Sequence, residues 1–180
     1  MKKIYLFHET NNEYISNIID SKFLLSSKTT QNKDQNPFDV YLPYIFMNCC
    51  VKEDIKYLST YTFIFSYDIL YERTFYINSS HGAGNLKTST YFSKNTNKKI
   101  IHNELYNLLQ TSKKKSKDWK KSNFAAFSID QEIFFRKKLD INEALYIVLP
   151  KNVDNNLLLK IKSNLPHVKI IYNNKHPVMV

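Results

Sequence analysis

At 180 residues and 21.4 kDa, with 43% of positions apolar, the chain can close one hydrophobic core and is too short for two ordinary domains. Residues 1–180 are therefore read as a single domain. A formal net charge of +10 and a pI near 9.4 favour a polyanionic partner: nucleic acid, an acidic protein face or a phosphorylated small molecule. No apolar run approaches the ~18 residues of a membrane span, and the apolar run after Lys2-Lys3 is too short for a signal peptide. The cysteines are adjacent, Cys49-Cys50, and cannot staple a loop, while the scattered histidines do not supply a metal ligand set. The expectation is an intracellular protein, cytoplasmic or nuclear, with reduced thiols, no metal and no membrane partner.

Ile4-Tyr5-Leu6-Phe7 is apolar at every position, which predicts a strand covered on both faces. His8 ends it on the side of Ile4 and Leu6, because side chains two apart point the same way. Thr10-Asn11-Asn12 is a helix N-cap signal, and Tyr14, Ile15, Ile18 and Ile19 follow at helical spacing. Phe23-Leu24-Leu25 reads as a short returning strand. The polar stretch from Lys28 to Phe38, with Asn36-Pro37, predicts a loop long enough to act as a lid. Val40-Tyr41-Leu42 is a short strand, Pro43 starts a helix-like piece over Tyr44 to Met47, and Glu53 to Leu58 reads as a second amphipathic piece. Tyr61 to Leu70, aromatic and β-branched, is the strongest strand signal, with Thr74 to Ile77 as its hairpin partner.

Both glycines, Gly82 and Gly84, fall within Asn78 to Asn85, where a tight connection or a ligand-facing loop would use their backbone freedom. Ile100, Ile101, Leu105, Tyr106, Leu108 and Leu109 predict a helix of about three turns. It runs into a basic loop holding the only tryptophan. Lysines that neutralise phosphates beside an aromatic for base stacking suit single-stranded nucleic acid. Lys113, Lys114, Lys115, Lys117, Trp119, Lys120 and Lys121 are the candidate contacts; a solvated loop anchored by Trp119 is the plainer reading. Phe124 to Ile129 reads as a strand, Asp130 to Phe135 as another or its continuation, and Ala144 to Leu149 as a third. Asp154 or Asn152 caps a last helix through Leu165, and Val168 to Tyr172 closes the chain's pattern as a strand. Strands in the middle with helices flanking them make the fold α+β.

Leu6-Phe7-His8, Val40-Tyr41-Leu42 and Glu132-Ile133-Phe134-Phe135, in this order, resemble the His–Tyr–Glu pattern of the ADP-ribosyltransferase fold family, in its poly(ADP-ribose) polymerase-like branch. His8 matches the first-strand histidine, Ile19 to Ser27 the return that follows the first helix, Tyr41 the tyrosine and Glu132 the glutamate. Gln131 to Phe135 followed by Tyr146-Ile147-Val148 is also similar to DNA-modifying ADP-ribosyltransferase toxins. The resemblance spans most of the chain through short motifs. It implies split, mostly antiparallel sheets clasping a cleft, flanked by helices, with NAD as co-substrate. Glu132 would bond the ribose 2′-hydroxyl and orient or deprotonate the acceptor, His8 would hold ribose hydroxyls, and Tyr41 would stack on nicotinamide. Glu9 and Thr10 beside His8, and Tyr44 as a second tyrosine, complete the implied cofactor contacts.

Two positions depart from the pattern: Glu9 stands where the family has glycine after the histidine, and Lys22 replaces the glycine of the return turn. The implied function is a mono-ADP-ribosyltransferase, toxin-like or viral, acting on a protein or nucleic-acid acceptor. The alternative is a binding module that keeps the fold without its chemistry and contacts nucleic acid or an acidic protein through the basic loop.

Overall fold

A computed structural model of the chain describes residues 3–26, 29, 44–58, 61–78, 89–118, 132–136 and 138–173, with the backbone alone for 57 and 111–118. The first strand, β1 (Ile4–Glu9), is buried on both faces, as its unbroken apolar run requires. Ile4 and Leu6 enter one core cluster, Tyr5 and Phe7 the other. Helix α1 (Asn12–Ser21) follows, with Asn11 at its N-cap and Ile15 and Ile19 buried. The returning strand β2 (Phe23–Leu24) pairs away from β1, with the later β8 (Leu139–Asp140), in a small sheet of its own.

Among the described residues the large sheet has eight strands. Besides β1 they are β3 (Tyr44–Val51), β4 (Thr62–Ser66), β5 (Phe75–Asn78), β6 (Ser89–Phe92), β7 (Glu132–Arg136), β9 (Ala144–Leu149) and β10 (Lys169–Tyr172). Their order across it is β10-β9-β4-β1-β3-β7-β5-β6, and every pairing is antiparallel except β9 with β10. Helices α2 (Lys98–Asp118) and α3 (Asn155–Asn164) place Ile101, Leu105, Leu108, Leu109 and Ile161 in the same core cluster as Ile4, Met47, Ile133 and Phe135. Asp154 caps α3, its carboxylate accepting from the Leu157 amide at 3.0 Å. No described helix is long and apolar enough to cross a membrane.

Several local expectations give way to the sheet. Tyr44 to Met47 is not helical: these residues begin β3, in which Ile45 and Met47 face the core and Phe46 and Asn48 face out half-buried. That alternation has period two, and all four residues pair with β7, which outweighs the helix-start signal of Pro43. The strand predicted over Tyr61 to Leu70 stops at Ser66, whose hydroxyl accepts from the Asp68 amide and starts a 3-10 turn, Tyr67–Leu70. The turn carries the chain to the other half of the sheet. So β5 pairs with β6 and β7 rather than back onto β4, whose two edges are filled by β1 and β9. The basic residues Lys113, Lys114, Lys115 and Lys117 lie on α2, not in a loop, since lysine propagates helix well and its charge suits a helix C-terminus. Trp119, Lys120, Lys121, Tyr41, the strand expected over Phe124 to Ile129 and most of the glycine loop lie outside the described residues.

Lys22 ends α1 in the left-handed region, φ 62° and ψ 16°, with its amide bonded to the Ile18 carbonyl at 2.9 Å. This is the C-cap conformation that glycine adopts without a Cβ penalty, which explains why a glycine would be wanted there. Lys22→Gly is expected to stabilise the fold by about 0.5 kcal/mol, the relief of left-handed strain exceeding the added entropy of the unfolded chain. Urea denaturation of the two proteins checks it, and a Lys22→Gly protein less stable than the original would contradict the strain account.

Candidate active site

Strand β3 is shared. Its C-terminal half pairs with β1, from Ile4↔Val51 to Phe7↔Asn48, and its N-terminal half pairs on the other edge with β7, from Tyr44↔Arg136 to Met47↔Ile133. The C-terminal end of β1 and the N-terminal end of β7 therefore meet at the middle of β3, on either side of Met47 and Asn48. With strands ~4.8 Å apart, the two ends are ~10 Å from one another. His8 stands at the first end and Glu132 at the second.

Beyond Phe7↔Asn48 the β1–β3 ladder stops, and the Phe46 carbonyl is taken instead by His8 Nδ1 at 2.8 Å. A carbonyl only accepts, so Nδ1 carries the proton. Burial holds the imidazole below its ordinary pKa, and His8 is neutral at pH 7. Its Nε2 is then a hydrogen-bond acceptor. By alternation His8 shares the face of Leu6, opposite the face of Glu132, and its bond to the Phe46 carbonyl holds the ring where β1 and β3 part.

Glu132 precedes Ile133, Phe134 and Phe135, all fully buried, which anchor the strand's start. Strand alternation puts its side chain on the face of Phe134, opposite the core face of Ile133 and Phe135. Its cross-strand neighbour is Asn78, a buried polar residue. Among the described residues Glu132 Oε2 is buried without a hydrogen-bond partner, and desolvation raises the carboxyl pKa to about 6. An orphaned buried acceptor costs about 1–3 kcal/mol, which a donor from a water or a ligand would relieve.

Of the other residues singled out from the sequence, Glu9 is exposed at the end of β1, and Thr10 donates its amide to the Tyr61 carbonyl at 3.2 Å. Tyr44 is buried on the Glu132 face, accepting from Arg136 Nη2 at 3.3 Å. Arg136 and Asn78 were not singled out. Nothing local marks them, since their place beside Tyr44 and Glu132 comes from strand register. Cys49 and Cys50 are buried free thiols; burial pushes Cys49 up to about 12, which makes it inert as a nucleophile.

No family model matches the sequence, and no curated protein does. Among solved structures, DarT of Thermus sp. 2.9 in complex with carba-NAD+ superposes with a TM-score of 0.57 at 13% identity, over 95% of both chains. The same protein in complex with NAD+ gives 0.56 at 13% identity over 94% of both chains. In complex with ADP-ribosylated ssDNA it gives 0.54 at 13% identity, over 96% of this chain and 98% of that one. The chain has the ADP-ribosyltransferase fold. The resemblance implied split, mostly antiparallel sheets; the described strands of the large sheet are mostly antiparallel and are joined through β3.

The raised pKa of Glu132 carries a stability cost with a defined sign. The folded state holds the proton more tightly than the unfolded chain, so stability falls as pH rises from 4.5 through about 6 and the penalty is complete above that. Glu132→Gln removes the ionisation. It is expected to raise stability near neutral pH by about 1 kcal/mol, discounted for the partial exposure of the side chain, and to change little at about pH 4. Melting curves at the two pH values measure it; an equal shift at both would disprove the desolvation account.

Proposed function

We propose that the chain is an NAD-dependent ADP-ribosyltransferase whose acceptor is single-stranded DNA. The observation that carries the enzyme reading is Glu132: a carboxylate with a buried oxygen that no described residue pairs, at a strand end across the shared strand from the strand end of a neutral histidine. Both groups offer acceptors, Glu132 Oε2 and His8 Nε2, and the hydroxyls of a ribose offer donors. The acceptor assignment is supported by the fold's likeness, at low identity, to a protein solved with NAD+ and with ADP-ribosylated ssDNA, and by the net charge of +10.

The chemistry follows from these residues. Cleavage of the nicotinamide–ribose bond develops positive charge at the sugar, and the Glu132 carboxylate, in a poorly solvated position, stabilises it as it forms. Nicotinamide leaves with the bonding electron pair. The acceptor forms its bond to the ribose C1′, and Glu132 takes the acceptor's proton. Neutral His8 fixes a ribose hydroxyl through Nε2, with Nδ1 tied to Phe46 so that the tautomer does not change. Tyr41 is assigned the nicotinamide-stacking role and Glu9 and Thr10 the flank of the same site, whereas Tyr44 lies farther along the sheet, beside Arg136.

The test is transfer of adenylate-labelled NAD to a single-stranded oligonucleotide by the purified chain. Glu132→Gln is expected to lower transfer by about 100-fold or more. For the original protein kcat/KM should decline as pH falls through about 6, because protonation removes the stabilising charge. Label appearing on protein and never on the oligonucleotide would refute the acceptor; NAD left intact under all conditions would leave a binding module of this fold.

A further inference from the structure

The face of the sheet that carries Glu132 is banded. One row across the strands runs Glu132, Asn78, Ser89. The next row on the same face, ~7 Å along, is aromatic on four successive strands: Phe46, Phe134, Tyr76, Tyr91. Beyond it, another ~7 Å on, come Tyr44 and Arg136, partners across β3 and β7. None of these five rings belongs to either core cluster; they pack on one another. Phe134 is fully buried as the middle of the row, stacked on Tyr76 at 5.2 Å and met edge-on by Tyr44 at 5.1 Å. Phe46 and Tyr76 are half-buried, and Tyr91, at the sheet edge, is 57% exposed. Arg136 is exposed at the end of the bands, its guanidinium 5.5 Å over the Tyr44 ring.

We propose that this aromatic row is a base-stacking platform for the single-stranded DNA that flanks the modified nucleotide. The proposal rests on the nucleic-acid reading of the site and adds to it the surface that holds the strand. Tyr91 is exposed and Phe46 and Tyr76 are half-buried on either side of buried Phe134, so the row offers aromatic surface on three strands, and stacking is indifferent to sequence. The order of the bands matches a nucleotide chain leaving a reacting centre: an acceptor carboxylate first, π faces next, then a cation for phosphate. Arg136 and the net charge of +10 supply the complementary charge. A purely apolar partner would leave Arg136 desolvated without a counterion, whereas a phosphate neutralises it.

Binding is read without NAD, by fluorescence anisotropy of a labelled single-stranded 12-mer DNA, so failure of catalysis and failure of the platform are separate results. Tyr91→Ala and Tyr76→Ala are expected to weaken binding about tenfold each, as loss of a base–aromatic stack does, while Tyr91→Phe stays within about twofold. Tyr172→Ala, an exposed tyrosine on the far edge strand, serves as the control and keeps the original affinity. An abasic strand of the same length should bind the original protein about tenfold more weakly and be insensitive to Tyr91→Ala. Arg136→Ala should reduce the salt slope by about one. The proposal fails if Tyr91→Ala binds like the original, or if the abasic strand binds as tightly as the normal one. Tighter binding of duplex DNA, or of RNA of the same sequence, would also overturn it. Circular dichroism melts identify any variant that loses affinity by unfolding, and Tyr91→Phe then decides the matter.

Discussion

One backbone carbonyl explains the organisation of this protein. A strand inside a sheet normally satisfies both its edges along its whole length, because each residue carries a donor and an acceptor that burial makes expensive to leave unpaired. β3 instead gives one edge to β1 along its C-terminal half and the other edge to β7 along its N-terminal half. At the changeover the Phe46 carbonyl loses its ladder partner on the β1 side. His8 Nδ1 takes that place at 2.8 Å. The β1–β3 ladder can therefore end without leaving that carbonyl unpaired, and the residue that takes it keeps its other nitrogen as an acceptor.

The same division positions Glu132. Because β7 begins where β1 ends, a carboxylate that would otherwise be an edge charge comes to lie on β7 beside Asn78 and across β3 from Phe7 and His8. Burial of the three residues after it keeps that strand start in place, and desolvation raises the pKa to about 6. The fold thus tolerates a penalty at one point. The core distributes the compensation over many side chains, from Ile4 and Leu6 in β1 to Leu105 and Ile161 in the helices, none of which needs to be at the site.

Much of the chain was legible from local pattern. The uninterrupted Ile4 to Phe7 run marked a strand covered on both sides, and the Asn11 cap, the Ile15 and Ile19 spacing and the Asp154 cap marked helices that the structure contains. The errors have a common cause. Tyr44 to Met47 after a proline resembles a helix start, Tyr61 to Leu70 resembles one long strand, and Thr74 to Ile77 resembles its hairpin mate, because local signals do not reveal which edge a strand will find. The basic run at Lys113 to Lys117 resembled a loop for want of apolar spacing, yet helix propagation needs only residues that do not resist it. The 13% identity to the solved structures fits this view, since pairing and burial constrain a chain far less tightly than its residues.

By itself the sequence determined which residue types stand where: an imidazole ending a buried strand, a carboxylate starting another, and an excess of positive charge. Those are properties of residue types and of nearest neighbours. Only the tertiary structure decided that the two strand ends meet on a shared strand, that the histidine is neutral with its proton on Nδ1, and that Phe46, Phe134, Tyr76 and Tyr91 form one row. Register across strands far apart in the chain creates that row and that meeting point, and register is fixed by burial and hydrogen bonding of the whole sheet rather than by any segment of it.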